Sequence, residues 1–280
     1  MQQKLNTFSN VLSAAFAWAC AFAVCAAACL LLYSVVAAGV MQVDWAFLTE
    51  EPTDSGRSGG IAPIILSTVL IIAVCLLATV PLGVGTAIFL ADYDTGRSKL
   101  AGAIRTALDV LGGVPSIVFG LFGNAFFCLA LGMGYSILSG GLTLACMVLP
   151  IFVRVAESAI RNVADGHSRA AMALAFSKWT TTFRIILPRA LPGLLAALTL
   201  GLARALAETA ALIFTSGYVT RYPESLNDSG RSLSVHIYDL ALNVTGGNER
   251  AFATAAVLVI LLLVINAVTH FATRKLLRRS

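Results

Sequence analysis

The chain is built of long apolar blocks separated by short polar ones. Apolar runs at approximately 11–40, 61–91, 104–131, 137–160, 190–216 and 251–273 each reach the roughly 20 helical residues needed to cross a hydrocarbon core. The pattern predicts an all-α membrane protein with about six transmembrane helices. Between the third and fourth runs stands only the glycine-rich stretch Gly132–Gly141. A five-span alternative would merge the two runs, but Gly132, Gly134, Gly140 and Gly141 favour a turn. The polar block from about Gly217 to Arg250 contains "SLSVHIYDLALN", which fits a short surface or re-entrant helix and a solvated loop equally well.

One interruption differs from the others. "RAAMALAFSKWTTTFRIILP" (Arg169–Pro188) mixes small, bulky and basic residues and ends at a proline. Ser168 suits an N-cap, and Pro188 and Pro192 are expected to stop the helix. Met172, Phe176, Trp179 and Phe183 recur at spacings of four, three and four, so a helix over about 168–184 would carry them on one face. Such a helix fits three roles: lying on the lipid interface, packing on its own chain, or inserting its ridge into a groove of another protein.

Composition and charge sharpen the topology. The chain is 58% hydrophobic and 12% charged, against about a quarter charged in soluble domains. Its first apolar run is about twice the 7–15 residues of a signal-peptide core and is expected to remain as a membrane span. With the N-terminus inside, the interior segments hold Lys4; Arg97, Lys99 and Arg105; Arg154, Arg161, Arg169, Lys178, Arg184 and Arg189; and Arg274, Lys275, Arg278 and Arg279. The exterior keeps Arg57, Arg221, Arg231 and the edge residue Arg250. The positive-inside rule therefore predicts both termini in the cytoplasm. That bias accounts for the net charge of +5 without nucleic acid. The six cysteines (Cys20, Cys25, Cys29, Cys75, Cys128 and Cys146) all lie in apolar runs, where packing is their expected role and no metal site is expected.

Catalytic signatures are missing. The chain has no G-x-x-x-x-G-K-[ST] phosphate loop and no H-E-x-x-H. Its histidines (His167, His236 and His270) are dispersed. Active transport by this chain would need energy from a partner or an ion gradient. Arg204 and Glu208 are four residues apart in the fifth run and share a helical face. Counted from Pro192 at 1.5 Å per residue, Arg204 falls near mid-span. An ionised residue there costs about 2.5–3.5 kcal/mol on insertion scales and usually faces a cavity or a partner. The pair is either a structural ion pair, or an oxyanion attractor whose guanidinium fork is partly neutralised by the glutamate. "GGVPSIVFGLFG" (Gly112–Gly123) is the other candidate. Pro115 and its glycines permit a bend that is either a packing kink or a flexing wall of the route, with the Ser116 hydroxyl on offer. Pro81, Gly83 and Gly85 suit a similar bend in the second run.

The stretch Arg169–Pro188 resembles the coupling-loop motif of ABC importer permeases, E-A-A, three residues, G, nine residues, I-x-L-P. Ala170 and Ala171 match its alanines, and Ala175 falls at its glycine. Ile185, Leu187 and Pro188 complete it, while Arg169 stands where glutamate is usual. From about Gly59 onward, Gly59–Tyr93, Gly112–Gly123 and Leu187–Leu212 are similar to the PstA-type permease family of phosphate importers. The resemblance implies a type I ABC importer permease fold, with residues 1–58 as an N-terminal segment and 59–280 as the transmembrane domain. It implies alternating-access transport of inorganic phosphate across the bacterial inner membrane. The partners would be a PstC-type second permease, two PstB-type ATPases that bind ATP and Mg, a PstS-type external binding protein, and membrane lipid. The chain itself would be no enzyme and would hold no cofactor. Ala170, Ala171, Met172, Ala175, Phe176, Trp179, Phe183, Leu187 and Pro188 would couple to the ATPase; Arg204, Glu208, Ser116 and Pro115 would line the route. Molybdate, tungstate, sulfate or phosphonate are alternative substrates, and a gradient-driven carrier is the alternative in another class.

Overall fold

A computed structural model describes residues 2–93 and 98–277. Arg97, Arg278 and Arg279, used above for topology, lie outside the described residues. Five helices are long and apolar enough to cross a membrane, or six when one bent pair is taken as a single span. In chain order they begin with α1 (Gln2–Val40). The short α2 (Trp45–Thr49) and the antiparallel β1 (Pro52–Thr53) and β2 (Ser58–Gly59) follow, then α3 (Ala62–Ile88). α4 (Lys99–Gly112) and α5 (Ser116–Gly123) form the bent pair, and α6 (Ile137–Ala173) comes next. α7 (Lys178–Thr181), α8 (Leu187–Leu206) and α9 (Ala210–Ile213) carry the chain back. α10 (Leu233–Leu242) and α11 (Asn248–Leu277) complete it.

The long helix α6 is the centre of the bundle, with α3 and α8 on either side. Its buried residues Leu144, Val148, Phe152, Ala156 and Ile160 join Ile71, Val74 and Cys75 of α3 and Ala190, Leu194 and Ala197 of α8 in one core. Helices in lipid gain little from hydrophobic transfer and associate by close packing at small residues. The contacts have that character. A Cβ placed on Gly141 would stand 2.6 Å from Val74, one on Gly193 2.3 Å from Ala159, and one on Gly83 2.4 Å from the Phe152 ring. α1 lies chiefly along α11, where Gly39 meets the Phe252 backbone.

Three stretches of wider, π-helical winding extend the helices: 89–93 after α3, 124–130 after α5, and 182–186 between α7 and α8. The last corrects the expectation that Pro188 and Pro192 stop a helix. The winding passes through both: a π turn shifts the bonding from i−4 to i−5 just where Pro188 lacks its N–H, and Pro192 lies inside α8 itself. The fifth span accordingly runs over Lys178–Leu206, earlier than 190–216. Arg184 and Arg189 belong to it, long side chains on an apolar helix.

The third span also differs. In place of one helix over 104–131, α4 and the 116–130 stretch meet at 105° around Gly113–Pro115. Gly132 and Gly134 form the expected turn with φ of +69° and +61°. Gly140 and Gly141 instead lie inside α6, packed against Ser216 and Val74. The "SLSVHIYDLALN" stretch is helical, with the Ser232 side chain capping α10 by accepting from the Val235 N–H.

Candidate functional site: a helix break and an interhelical turn

The Arg204–Glu208 pair forms, but on different geometry from that expected. α8 ends at Leu206, so Glu208 lies beyond the helix and Arg204 stands in its last turn, not mid-span. Arg204 Nη2 donates to Glu208 Oε1 at 2.9 Å. The Arg204 side chain is 49% exposed whereas that of Glu208 is 7% exposed, so a buried carboxylate side chain tethers an arginine that reaches outward. A cation in the last turn is also favoured by the helix dipole. α9 follows at once and packs tightly on α5: a Cβ on Gly120 would sit 3.0 Å from the Ala211 Cα. The Asn124 side-chain amide donates to the Phe214 carbonyl at 2.9 Å. The segment carrying Pro115 and Ser116 is thus docked on the residues immediately after Glu208. Ser116 is the first residue of α5, and among the described residues no hydrogen bond joins it to the ion pair.

The Arg169–Pro188 stretch is a helix–turn–helix, which corrects the single helix over 168–184. Position 168 lies inside α6 and not at a helix start. α6 continues to Ala173, the chain turns through Leu174–Ser177, and a new helix starts at Lys178. The turn is a Schellman motif: the Phe176 N–H bonds to the Ala171 carbonyl at 3.1 Å, with Ala175 between them at φ +56°. Ser177 caps the next helix by accepting from the Thr180 N–H. The four-residue ridge therefore divides. Trp179 and Phe183 share one helix, with ring centroids 3.9 Å apart and side chains 65% and 37% exposed. Phe176 projects from the turn at 46% exposure; the side chains of Ala170 and Met172 lie outside those described. Ala171 is buried, while Leu187 and Pro188 open α8. The turn is held from below: the Thr182 hydroxyl donates to the Asp92 carboxylate, and Lys178 Nζ lies 4.4 Å from the Tyr93 ring centroid.

Two charged clusters were missed in the sequence. Beyond the end of α3, the buried Glu157 of α6 accepts from Arg105 of α4 at 3.1 Å and from Arg161 at 2.7 Å, with Arg154 Nη1 3.8 Å away. Arg105 and Arg161 also donate to the Leu90 carbonyl, at 2.9 and 3.0 Å, and Arg154 pairs with Asp109. Three guanidiniums around one carboxylate clamp the end of α3 to α4 and α6. At the opposite end, Arg231 Nη1 donates to Asp239 at 2.8 Å and to His236 Nδ1 at 3.3 Å, and its Nε donates to the Tyr218 carbonyl. An arginine only donates, so Nδ1 is the acceptor and the ring proton sits on Nε2. Nε2 is buried without a partner among the described residues, under Gly56 of the β1–β2 loop. Burial, followed by the Arg231 charge, pushes His236 down to about 4, against an opposing pull from Asp239. Sequence spacing signals the i,i+4 pair Glu157–Arg161 and the i,i+3 pair His236–Asp239; Arg105 and Tyr218 arrive only through the fold. Among the described residues no cluster of His, Cys, Asp and Glu could hold a metal.

The structure is a bundle of five or six apolar spans around the long helix α6, with a half-exposed arginine held by a buried carboxylate where α8 breaks; its class comes from the sequence family. The chain belongs to the binding-protein-dependent transport system inner membrane components, whose family model matches residues 80–280. It is a permease subunit of an ABC importer, which moves solute and leaves ATP hydrolysis to an ATPase partner, and it works beside a second permease. Among its relatives, "Probable ABC transporter permease protein YqgI" of Bacillus subtilis (strain 168) is 34% identical over 83% of this chain and 84% of that protein. "Phosphate transport system permease protein PstA 1" of Mycobacterium tuberculosis (strain CDC 1551 / Oshkosh) is 32% identical over 84% of this chain and 79% of its own length. An inward-facing structure of the MetNI methionine ABC transporter superposes with a TM-score of 0.62, covering 76% of this chain and 96% of that one at 17% identity. The fold is therefore that of a type I ABC importer permease.

Proposed function

We propose that this chain is the PstA-type subunit of an ATP-driven importer of inorganic phosphate, with both termini in the cytoplasm. The observation that carries the proposal is the half-exposed Arg204 guanidinium held by the buried Glu208 carboxylate at a helix break, in a chain with PstA relatives at 32% identity over most of its length. A guanidinium fork matches two oxygens of a tetrahedral oxyanion. The glutamate weakens that grip, which suits a site an ion must leave as well as enter. Pro115 and Ser116 contribute as the wall packed on the break, and the bend at Gly113–Pro115 lets that wall move.

In the assembled importer a PstC-type permease completes the pore. Two PstB-type ATPases bind ATP and Mg, and a PstS-type protein delivers phosphate from outside. Trp179 and Phe183, with Phe176 at the turn, supply an aromatic face for the ATPase groove. Ala170, Ala171, Met172, Ala175, Leu187 and Pro188 set the geometry that presents it. ATP closure would then move the α6–α7 turn and, through the continuous winding from Lys178 to Leu206, the break that carries the ion pair.

The test is phosphate uptake by vesicles containing the assembled complex, wild type beside Arg204→Ala. ATP-dependent phosphate uptake that collapses in the variant, with assembly intact, is the expected result. Normal uptake in the variant would reduce Arg204 to a structural partner of Glu208. A wild-type complex that ignores phosphate but carries sulfate or molybdate would move the substrate to another oxyanion.

A further inference from the structure

The ion pair at the break has a neighbour that the sequence pattern does not single out. Glu208 follows the end of α8, where helical carbonyls run out of intrahelical donors. Its own carbonyl accepts a 2.6 Å hydrogen bond from the Ser234 hydroxyl, which is buried in the first turn of α10. Ser234 Oγ also lies 2.9 Å from Ser232 Oγ, and Ser232 Oγ accepts from the Val235 N–H at 3.2 Å. A carbonyl can only accept, so Ser234 must spend its proton on Glu208, and Ser232 must donate to Ser234. The order is fixed: Val235 N–H to Ser232, Ser232 to Ser234, Ser234 to Glu208. Chains of this kind strengthen link by link in a low-dielectric interior. The same turn of α10 is tied to α3, where Thr68 Oγ1 accepts from the Leu233 N–H at 2.9 Å.

We infer that Ser234 is a positioning residue for the Arg204–Glu208 site: its hydroxyl holds the broken backbone so that the Glu208 carboxylate stays against Arg204, and α10 is the strut that connects the outer end of the chain to the charge in the route. The role as part of a transport site rests on the function proposed above; the positioning itself does not, and can be read without any substrate. With the bond removed, the Glu208 carbonyl is left buried and unpaired, a loss relieved only by turning the break toward another donor. The carboxylate moves with it, and the charge offered at position 204 changes. A serine that only stabilised α10 would not have this effect. Removing Ser232 would weaken the cap of α10 equally well and leave Ser234 free to donate to Glu208.

The measurement is the local potential at position 204 in the assembled complex. Arg204→Cys, in a background with the six native cysteines changed to serine, is treated with a cationic and an anionic thiosulfonate. Modification at position 204 is quantified by peptide mass spectrometry, and the two rates are normalised to a free thiol. With Ser234 intact, the nearby Glu208 carboxylate favours the cationic reagent on the order of tenfold. Adding Ser234→Ala is expected to bring the ratio toward one. Ser234→Thr, which keeps the hydroxyl, restores it, and Ser232→Ala leaves it high. A ratio unchanged by Ser234→Ala, or lowered equally by Ser232→Ala, would overturn the positioning role. Loss of phosphate transport plays no part in this readout, so the failure of one proposal is distinguishable from failure of the other.

Discussion

Acidification at the α10 end of the bundle should loosen α10, and His236 sets the size of the effect. Its imidazole is fully buried between Arg231, Asp239 and the β1–β2 loop. The charged groups that face it are Arg231 and Asp239. Asp54 and Arg57, on the loop above, are paired with each other at 2.7 Å. In the folded chain His236 titrates at about 4, against 6.5 for a free imidazole. The folded state thus favours the neutral ring. Its contribution is complete above pH 6.5, falls as the pH drops through the window, and is exhausted below about 4, because there the unfolded form has gained a proton that the folded form resisted. The full span is worth about 3 kcal/mol, and by pH 5 about 2 kcal/mol of it is lost. Hydrogen exchange of the α10 amides, corrected for intrinsic rates, should therefore show roughly thirtyfold more frequent opening at pH 5 than at pH 7.5. His236→Gln has no proton to gain and should lose that increment. If variant and wild type open to the same extent at both pH values, the buried neutral imidazole is not what couples this end to acid.

Two further substitutions test the other junctions. Ala175→Gly should stabilise the α6–α7 turn by about 1 kcal/mol, since a Cβ is disfavoured in the left-handed conformation at φ +56°; the check is a higher thermal unfolding midpoint of the purified complex. Glu157→Gln removes the one carboxylate shared by Arg105, Arg154 and Arg161. It should cost about 2 kcal/mol, below the usual toll for a buried pair because the arginines stay partly in water. A chemical denaturation series comparing variant and wild type measures the loss.

The spans were legible because lipid demands long apolar helices, and Arg204 with Glu208 stood out because charge is rare inside them. Their geometry was hidden, since nothing local shows that α8 stops at Leu206. The turn between α6 and α7 was concealed by one residue: with alanine at position 175, where a glycine would announce a helix C-terminus, the spacing of Met172, Phe176, Trp179 and Phe183 reads as one continuous helix. Pro188 and Pro192 mislead in the opposite direction: a π turn precedes Pro188, and α8 carries Pro192 in its interior. Arg105 and Glu157 are 52 residues apart, so only the packing of α4 on α6 reveals their partnership.

The wider winding at 182–186 has a mechanical meaning. It lies between Trp179 and the helix that carries Arg204 in its last turn, and its hydrogen bonds reach five residues back where those of its surroundings reach four. Tightening it to ordinary α geometry would swing everything downstream by about 100°, the angle one residue occupies on a helix. Force applied at the aromatic pair would then arrive at Arg204 as torque, with the guanidinium turning about the α8 axis while the helix itself stays in place.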